Sequence, residues 1–258
     1  MISLTAAQLE HGIATVFWPF VRIGSCFMVA PVFGAISVPP QLRIVLAGAI
    51  ALLIAPLVPL PAGITILSGA GVLITLQQVI IGVALGFCLQ LVFEALNLGG
   101  QMIANSMGLS LSYNLDPQNG TSTPALGQLY TVLVTLVFLL LNGHTALIRV
   151  LVAGFRTLPI GTASFGPTGL WAVVKWGSIL FSGALAVALP AITALLVANL
   201  AFGVVSRAAP TLNLFATGLP ISLIFGLLVI MVSLPVVESG FIRLLGQAFM
   251  LLRTLSGA

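Results

Sequence analysis

Apolar residues fill this 258-residue chain in six long runs, separated by prolines, glycines and one wide polar interval. The first run, Ile13 to Phe33, is interrupted by Pro19 and Arg22 and leads into the turn Val38-Pro39-Pro40. Gln41 to Leu57 predict a second helix, closed by Pro56, Pro59 and Pro61. A third segment, Ile64 to Leu98, has roughly 35 residues and would reach about 52 Å as one helix, against a hydrocarbon core of about 30 Å. It must project beyond a bilayer or break, and Gly82 and Gly86 mark the candidate break. The same two glycines have the GxxxG spacing of close helix contacts, a weak signal in a chain with 27 glycines.

A fourth segment runs from Leu126 to Phe155, with Asn142-Gly143-His144 partway along. After a Gly/Pro/Ser/Thr-rich loop, Thr157 to Gly169, the fifth segment spans Leu170 to Val205. Lys175 lies near its start and Pro190 at its middle, where a kink is expected. The loop Ser206 to Asn213 leads into the last segment, Leu214 to about Val237, and an amphipathic tail carrying Arg243 and Arg253. The pattern predicts an all-α chain of bent and broken helical hairpins, associated with a membrane.

The polar interval, Gly99 to Pro124, differs from everything around it. It holds one charged residue, Asp116. From Leu109 to Asp116 apolar and polar residues alternate: Leu109, Leu111, Tyr113 and Leu115 against Ser110, Ser112, Asn114 and Asp116. Period two predicts an extended segment, punctuated by Asp116-Pro117 and Asn119-Gly120. An exposed loop is the ordinary reading of such a stretch. Its shortage of charge and its four large apolar side chains favour an extended ribbon inside a passage, since non-helical backbone at membrane depth must be surrounded by protein or water.

Composition sharpens the class. With 60% hydrophobic and 5% charged residues and a mean hydropathy of +1.26, the chain cannot cover a soluble globule, whose surface needs about a quarter charged residues. Eight basic and four acidic residues give +4, too scattered for a nucleic-acid-binding face. Counting cations on alternate sides groups Arg149, Arg156, Lys175, Arg243 and Arg253, which puts the C-terminus in the cytoplasm. Cys26 and Cys88 lie in apolar runs without CxxC spacing and read as packing residues. The first twelve residues carry Glu10 and no basic n-region, so no cleavable signal is expected.

Enzyme chemistry is not legible. His11 and His144 lack metal-ligand spacing, and GxSxG, HExxH and Walker A motifs are missing. Neither catalytic residues nor a metal or cofactor is expected. Glu94, inside the run LQLVFEALNL, is the costly residue: it can pair with an arginine, titrate in a proton path, or sit at a helix end. Met102 and Met107 flank the start of the polar interval, as packing residues or as an adaptable seal.

Three sets of residues resemble one family. The run Glu94-x4-Gly99-Gly100-Gln101-Met102-Ile103, then Met107-Gly108-Leu109-Ser110 and Asp116-Pro117, is similar to the motif of the FliR family of type III secretion export-gate subunits. Ser206-Arg207-x2-Pro210-x2-Asn213-x-Phe215-x2-Gly218-x-Pro220 is a second match. Arg22-x8-Pro31-Val32-Phe33-Gly34, with Pro39 and Arg43, is a third. The resemblance implies helical hairpins wound into a multi-subunit assembly in the inner membrane, within the flagellar basal body. Residues 1–169 would resemble the P-type subunit and 170–258 a Q-type hairpin. The implied partners are P-type and Q-type subunits, a B-type switch subunit, the large export-gate subunit and unfolded exported flagellar proteins.

The family places the loop, here Ser106 to Thr121, in the pore as a plug. Its residues are Met102 and Met107 at the base, then Gly108, Leu109, Ser110, Leu111, Tyr113, Leu115, Asp116, Pro117 and Gly120. Gly108 and Gly120 would act as hinges. Arg207, Pro210, Asn213, Gly218 and Pro220 would shape a hairpin bend. Injectisome membership, a small-solute transporter coupled through Glu94, and a ring-closing subunit that gates nothing are the alternatives.

Overall fold

The computed structural model describes residues 6–60, 64–109, 125–161, 165–208 and 214–257, and among them there is no strand. Eight α-helices follow in order: α1 Ala6–Val29, α2 Pro40–Ile54, α3 Gly69–Ser106, α4 Ala125–Leu140, α5 Gly143–Thr157, α6 Gly166–Trp176, α7 Ile179–Ala208 and α8 Leu214–Ser256. A short 3-10 turn, Ala55–Leu57, closes α2. Five stretches are long and apolar enough to cross a membrane, and the α4–α5 pair, bent by 64°, makes a sixth if it counts as one span. The all-α, membrane-embedded class follows directly.

Several sequence expectations are corrected. The third segment does not break at Gly82 or Gly86: α3 is a single helix of 38 residues, about 57 Å long. The polar interval does not begin as loop either, because α3 runs on through Gly99 to Ser106. The fifth segment divides at Gly177 and Ser178, and Pro190 is accommodated inside α7. The amphipathic tail is not separate but the last turns of α8, a 43-residue helix. The fourth segment parts at Leu141 and Asn142, where Asn142 takes a left-handed φ of 55°.

The chain packs as two compact units. One comprises residues 1–90, 138–177 and 247–258; the other 91–137 and 178–246. In the first, α3 lies against α1 at the two glycines. A Cβ on Gly82 would fall on the Ser25 hydroxyl and the Arg22 carbonyl, and one on Gly86 would come within 2.7 Å of the Cys26 carbonyl. The glycines let backbone meet backbone, which gives dispersion contact that lipid-facing leucines cannot supply. Cys26 and Cys88 are buried and free. Trp18 donates to Thr75 Oγ1 at 3.2 Å and Trp176 to the Cys88 carbonyl at 2.9 Å.

Arg22 is the polar centre of this unit. Only 1% exposed, it donates through Nε to Gln78 Oε1 at 2.7 Å, through Nη1 to the Gly154 carbonyl at 3.3 Å and through Nη2 to the Leu158 carbonyl at 3.0 Å. Its guanidinium stacks over Phe155, 4.1 Å from the ring centroid. Each of these partners is neutral. The compensation comes from the C-terminal end of α5, whose last carbonyls form the negative end of the helix dipole, and from the ring face. In the sequence Arg22 stands out only as a charge within the first apolar run.

A second arginine works similarly. Arg43 of α2 reaches back to the carbonyls of Ala35 and Val38 at 2.5 and 2.9 Å, tying down the turn between α1 and α2. In that turn Val32 has φ 70°, a conformation a β-branched residue adopts at a cost of about 1–3 kcal/mol. The stacked rings of Phe27 and Phe33, 4.3 Å apart, and the Gly34 amide bonded to the Ala30 carbonyl at 2.8 Å hold it there.

Replacing Arg22 by Met should lower stability by about 3 kcal/mol, because Gln78 and two carbonyls lose a buried donor. Lysine should recover only part of this, since an ammonium cannot fork to three acceptors. Thermal unfolding of the detergent-solubilised protein checks it, and an unchanged midpoint for both variants would rule out the clamp.

Candidate functional site: the root of the 108–124 loop

The polar interval begins on a well-packed helix. Along α3, Glu94, Asn97 and Gln101 follow at i, i+3 and i+7, so they line one face. Asn97 Nδ2 donates to Glu94 Oε2 at 3.1 Å, and Gln101 Nε2 donates to Asn97 Oδ1 at 3.2 Å. Glu94 is half-buried and engaged in this ladder. Its carboxylate is therefore a hydrogen-bonded helix residue rather than a bare intramembrane charge.

The ladder faces the start of α4. A Cβ on Gly127 would meet Asn97 Oδ1 at 2.5 Å and the Asn97 carbonyl at 3.0 Å, while one on Gly100 would meet Gly127 Cα and the Leu126 carbonyl at 2.9 Å. Helices α3 and α4 thus touch at paired glycines, and the chain between them leaves and returns at one braced root. The rest of the second unit is knit by the same small residues. Gly99 approaches Ala184, Gly183 approaches Ala95 and Leu244, and Gly240 approaches Val187. Phe93 and Phe241 add an edge-to-face pair at 5.5 Å.

Met107 seals the exit from α3. It is 1% exposed and lies on Gly226 of α8, where any added Cβ would strike its Cγ, Sδ and Cε. Helix α3 then stops: the Met107 amide bonds to the Ile103 carbonyl at 3.0 Å, the Gly108 amide to the Asn105 carbonyl at 3.1 Å, and Gly108 turns with φ 79°. Only glycine takes that conformation without strain, so it ends the helix and redirects the chain. Met102 and Leu109 are half-buried. Met102 is a packing residue of the last turn, its carbonyl accepting from Ser106 Oγ at 3.0 Å.

Residues 13–248 match the model of the bacterial export proteins, family 1. The chain belongs to that family. It is 36% identical over 253 residues to the flagellar biosynthetic protein FliR of Escherichia coli, covering 98% of this chain and 96% of that one. The FliR of Pectobacterium carotovorum is 35% identical over 252 residues, with the same coverage. The Bacillus subtilis FliR is 27% identical over 221 residues, covering 84% of this chain and 85% of that one. Family, relatives and apolar helices together make this a membrane protein of flagellar protein export.

The remaining candidate residues divide by position. Ser110, Leu111, Tyr113, Leu115, Asp116, Pro117 and Gly120 lie outside the described residues, as do Pro210 and Asn213. Arg207 is exposed in the last turn of α7, where a cation suits the helix dipole. Gly218 and Pro220 fall within the first two turns of α8. His144 is in the first turn of α5. Among the described residues no group of three or more His, Cys, Asp or Glu could hold a metal ion. Gly127 and Gly226, which brace the root, were not singled out from sequence.

Replacing Gly100 by Ala should cost about 1–3 kcal/mol, because the new methyl meets backbone that cannot yield. Gly246, with open space around it, is the control. Alanine there should be neutral or stabilise by up to about 1 kcal/mol, as expected for a better helix former. Thermal midpoints of the two variants moving together would contradict a close α3–α4 contact.

Proposed function

We propose that this chain is a subunit of the flagellar export gate and that the segment between Gly108 and Pro124 closes a path for unfolded polypeptide. The observation that carries the reading is the braced root: Gly100 against Gly127, Met107 sealed on Gly226, and Gly108 turning the chain away. A long loop held so firmly at both ends can shift between positions while the helices stay fixed. From Ser106 to Thr121 the loop carries one charge, Asp116. A nearly neutral ribbon suits a passage that must stay tight to ions without binding the chains that traverse it.

The gate does no covalent chemistry in this reading. Export substrates would thread through an assembly of P-type, Q-type and R-type subunits, with the B-type and large gate subunits alongside, inside the basal body. The division at 169/170 into P-like and Q-like parts belongs to the same proposal. The exterior supports a subunit buried in an assembly or in lipid: only 17% of the Pro40–Leu57 stretch, and 22% of an 18-residue apolar stretch within Pro220–Ser256, are buried within the chain. The hydrogen-bonded state of Glu94 favours this over a solute transporter coupled through that carboxylate.

Deleting Leu109 to Leu115 should leave assembly with the partner subunits intact and raise ion conductance across the inner membrane. Conductance unchanged in an assembled deletion complex would count against a plug. Glu94→Gln should leave export within a few-fold of normal; abolished transport of a solute by the reconstituted chain would support the transporter instead.

A further inference from the structure

The two compact units differ in charge. The first contains six of the eight basic residues (Arg22, Arg43, Arg149, Arg156, Lys175 and Arg253) and one acid, Glu10, a balance of +5. The second contains Arg207 and Arg243 with Glu94, Asp116 and Glu238, a balance of −1. Within the first unit, a groove of about 390 Å³ opens between the end of α2 and the outer face of α5. One wall is Ile54, Leu57 and Val58; the other is Ile148, Val152 and Ala153, with Phe155 also lining it. Arg149 and Arg156 stand on the α5 wall, both exposed, seven residues and so about 10.5 Å apart along one helix face. No acid lines the groove.

That combination is amphipathic in a specific sense. The apolar walls suit a hydrocarbon chain, and the two guanidiniums suit an anion that stays charged at every physiological pH. Phe155 has the buried Arg22 guanidinium on its ring, 4.1 Å away, so a third cation lies behind the groove wall, with no carboxylate among the partners given for it. The α4–α5 pair is a bent candidate span, with Arg149 and Arg156 beyond the bend at Asn142. Cations so placed, with apolar flanks, meet headgroups.

We propose that this groove is a binding site for an anionic phospholipid, its acyl chain between α2 and α5 and its phosphodiester held by Arg149 and Arg156. Arginine is suited to the task because its fork presents parallel N–H donors to phosphate oxygens. The long stems let both side chains converge on one headgroup. An acidic segment of a partner protein is the competing occupant. Continuous apolar walls favour lipid over a peptide, whose backbone polar groups would lie unsatisfied along the groove.

The test uses the full chain co-purified with its export partners and exposed to equal amounts of phosphatidylglycerol and phosphatidylcholine. Native mass spectrometry counts the lipid retained. The unaltered protein should prefer phosphatidylglycerol by roughly 30-fold, the factor expected of two cations at an anionic surface. The double variant R149Q/R156Q should fall to near parity, and each single variant should lose part of the preference. Ala153→Phe, which fills the groove without touching charge, should cut total lipid retained about ten-fold, as loss of a buried chain requires. R253Q, a cation of the same unit outside the groove, should stay within about two-fold. Helix content by circular dichroism and particle size confirm that each variant is folded. Equal retention of the two lipids by the unaltered protein would overturn the site. So would loss of preference in R253Q, which would indicate a diffuse field, or full retention in Ala153→Phe. Release of a partner subunit by R149E/R156E, with no lipid preference beforehand, would assign the groove to an acidic protein segment.

Discussion

Glycine against backbone is the contact on which this protein depends. An apolar chain in an apolar medium gains little by burying leucine against leucine, because lipid offers the same surface. It gains by bringing helices close enough for dense dispersion contact and by satisfying every buried polar group internally. Helix α3 does both along its length. Gly82 and Gly86 let it meet α1, Gly99 admits α7 and Gly100 meets α4. Those contacts brace a 38-residue helix that stays whole, the other outcome its length allowed being a break.

Arg22 shows the second half of the constraint. A guanidinium among apolar helices is tolerated because it finds acceptors at the end of another helix: the carbonyls of Gly154 and Leu158, at the negative end of α5, take its N–H groups. Gln78 and Phe155 complete the cage. Arg43 does the same for a strained turn. In both cases a charge is spent on backbone, so the cations of this chain are in part its caps. Arg149 and Arg156, both exposed, instead face outward, where headgroups or partners can meet them.

The hydrophobic runs made the all-α class and the apolar spans legible, but not every break: six runs became eight helices among the described residues, parting at Leu141–Asn142 and Gly177–Ser178. The interval from Gly99 was misread at its start because polarity was taken as the end of a helix. Gln101 and Asn97 are compatible with helix when their side chains bond along the same face, and only Gly108, with its positive φ, stops α3. The role of Arg22 was hidden for a different reason. Its partners stand 56, 132 and 136 residues away, and two are main-chain carbonyls, which any residue type supplies. The GxxxG pair was undervalued because spacing alone cannot distinguish one functional glycine pair among 27 glycines. The braced root was invisible likewise, since Gly127 and Gly226 carry no local signature.

The gate we propose makes one demand of the working machine: the loop, with Asp116 as its one charge, must meet the travelling chain. A photo-reactive phenylalanine analogue in place of Tyr113, in the assembled gate with an export substrate arrested in transit, puts this to the test. Crosslinks joining position 113 to the arrested substrate are expected. Crosslinks confined to lipid, or to a neighbour on the outside of the assembly, would contradict a loop that lies across the path.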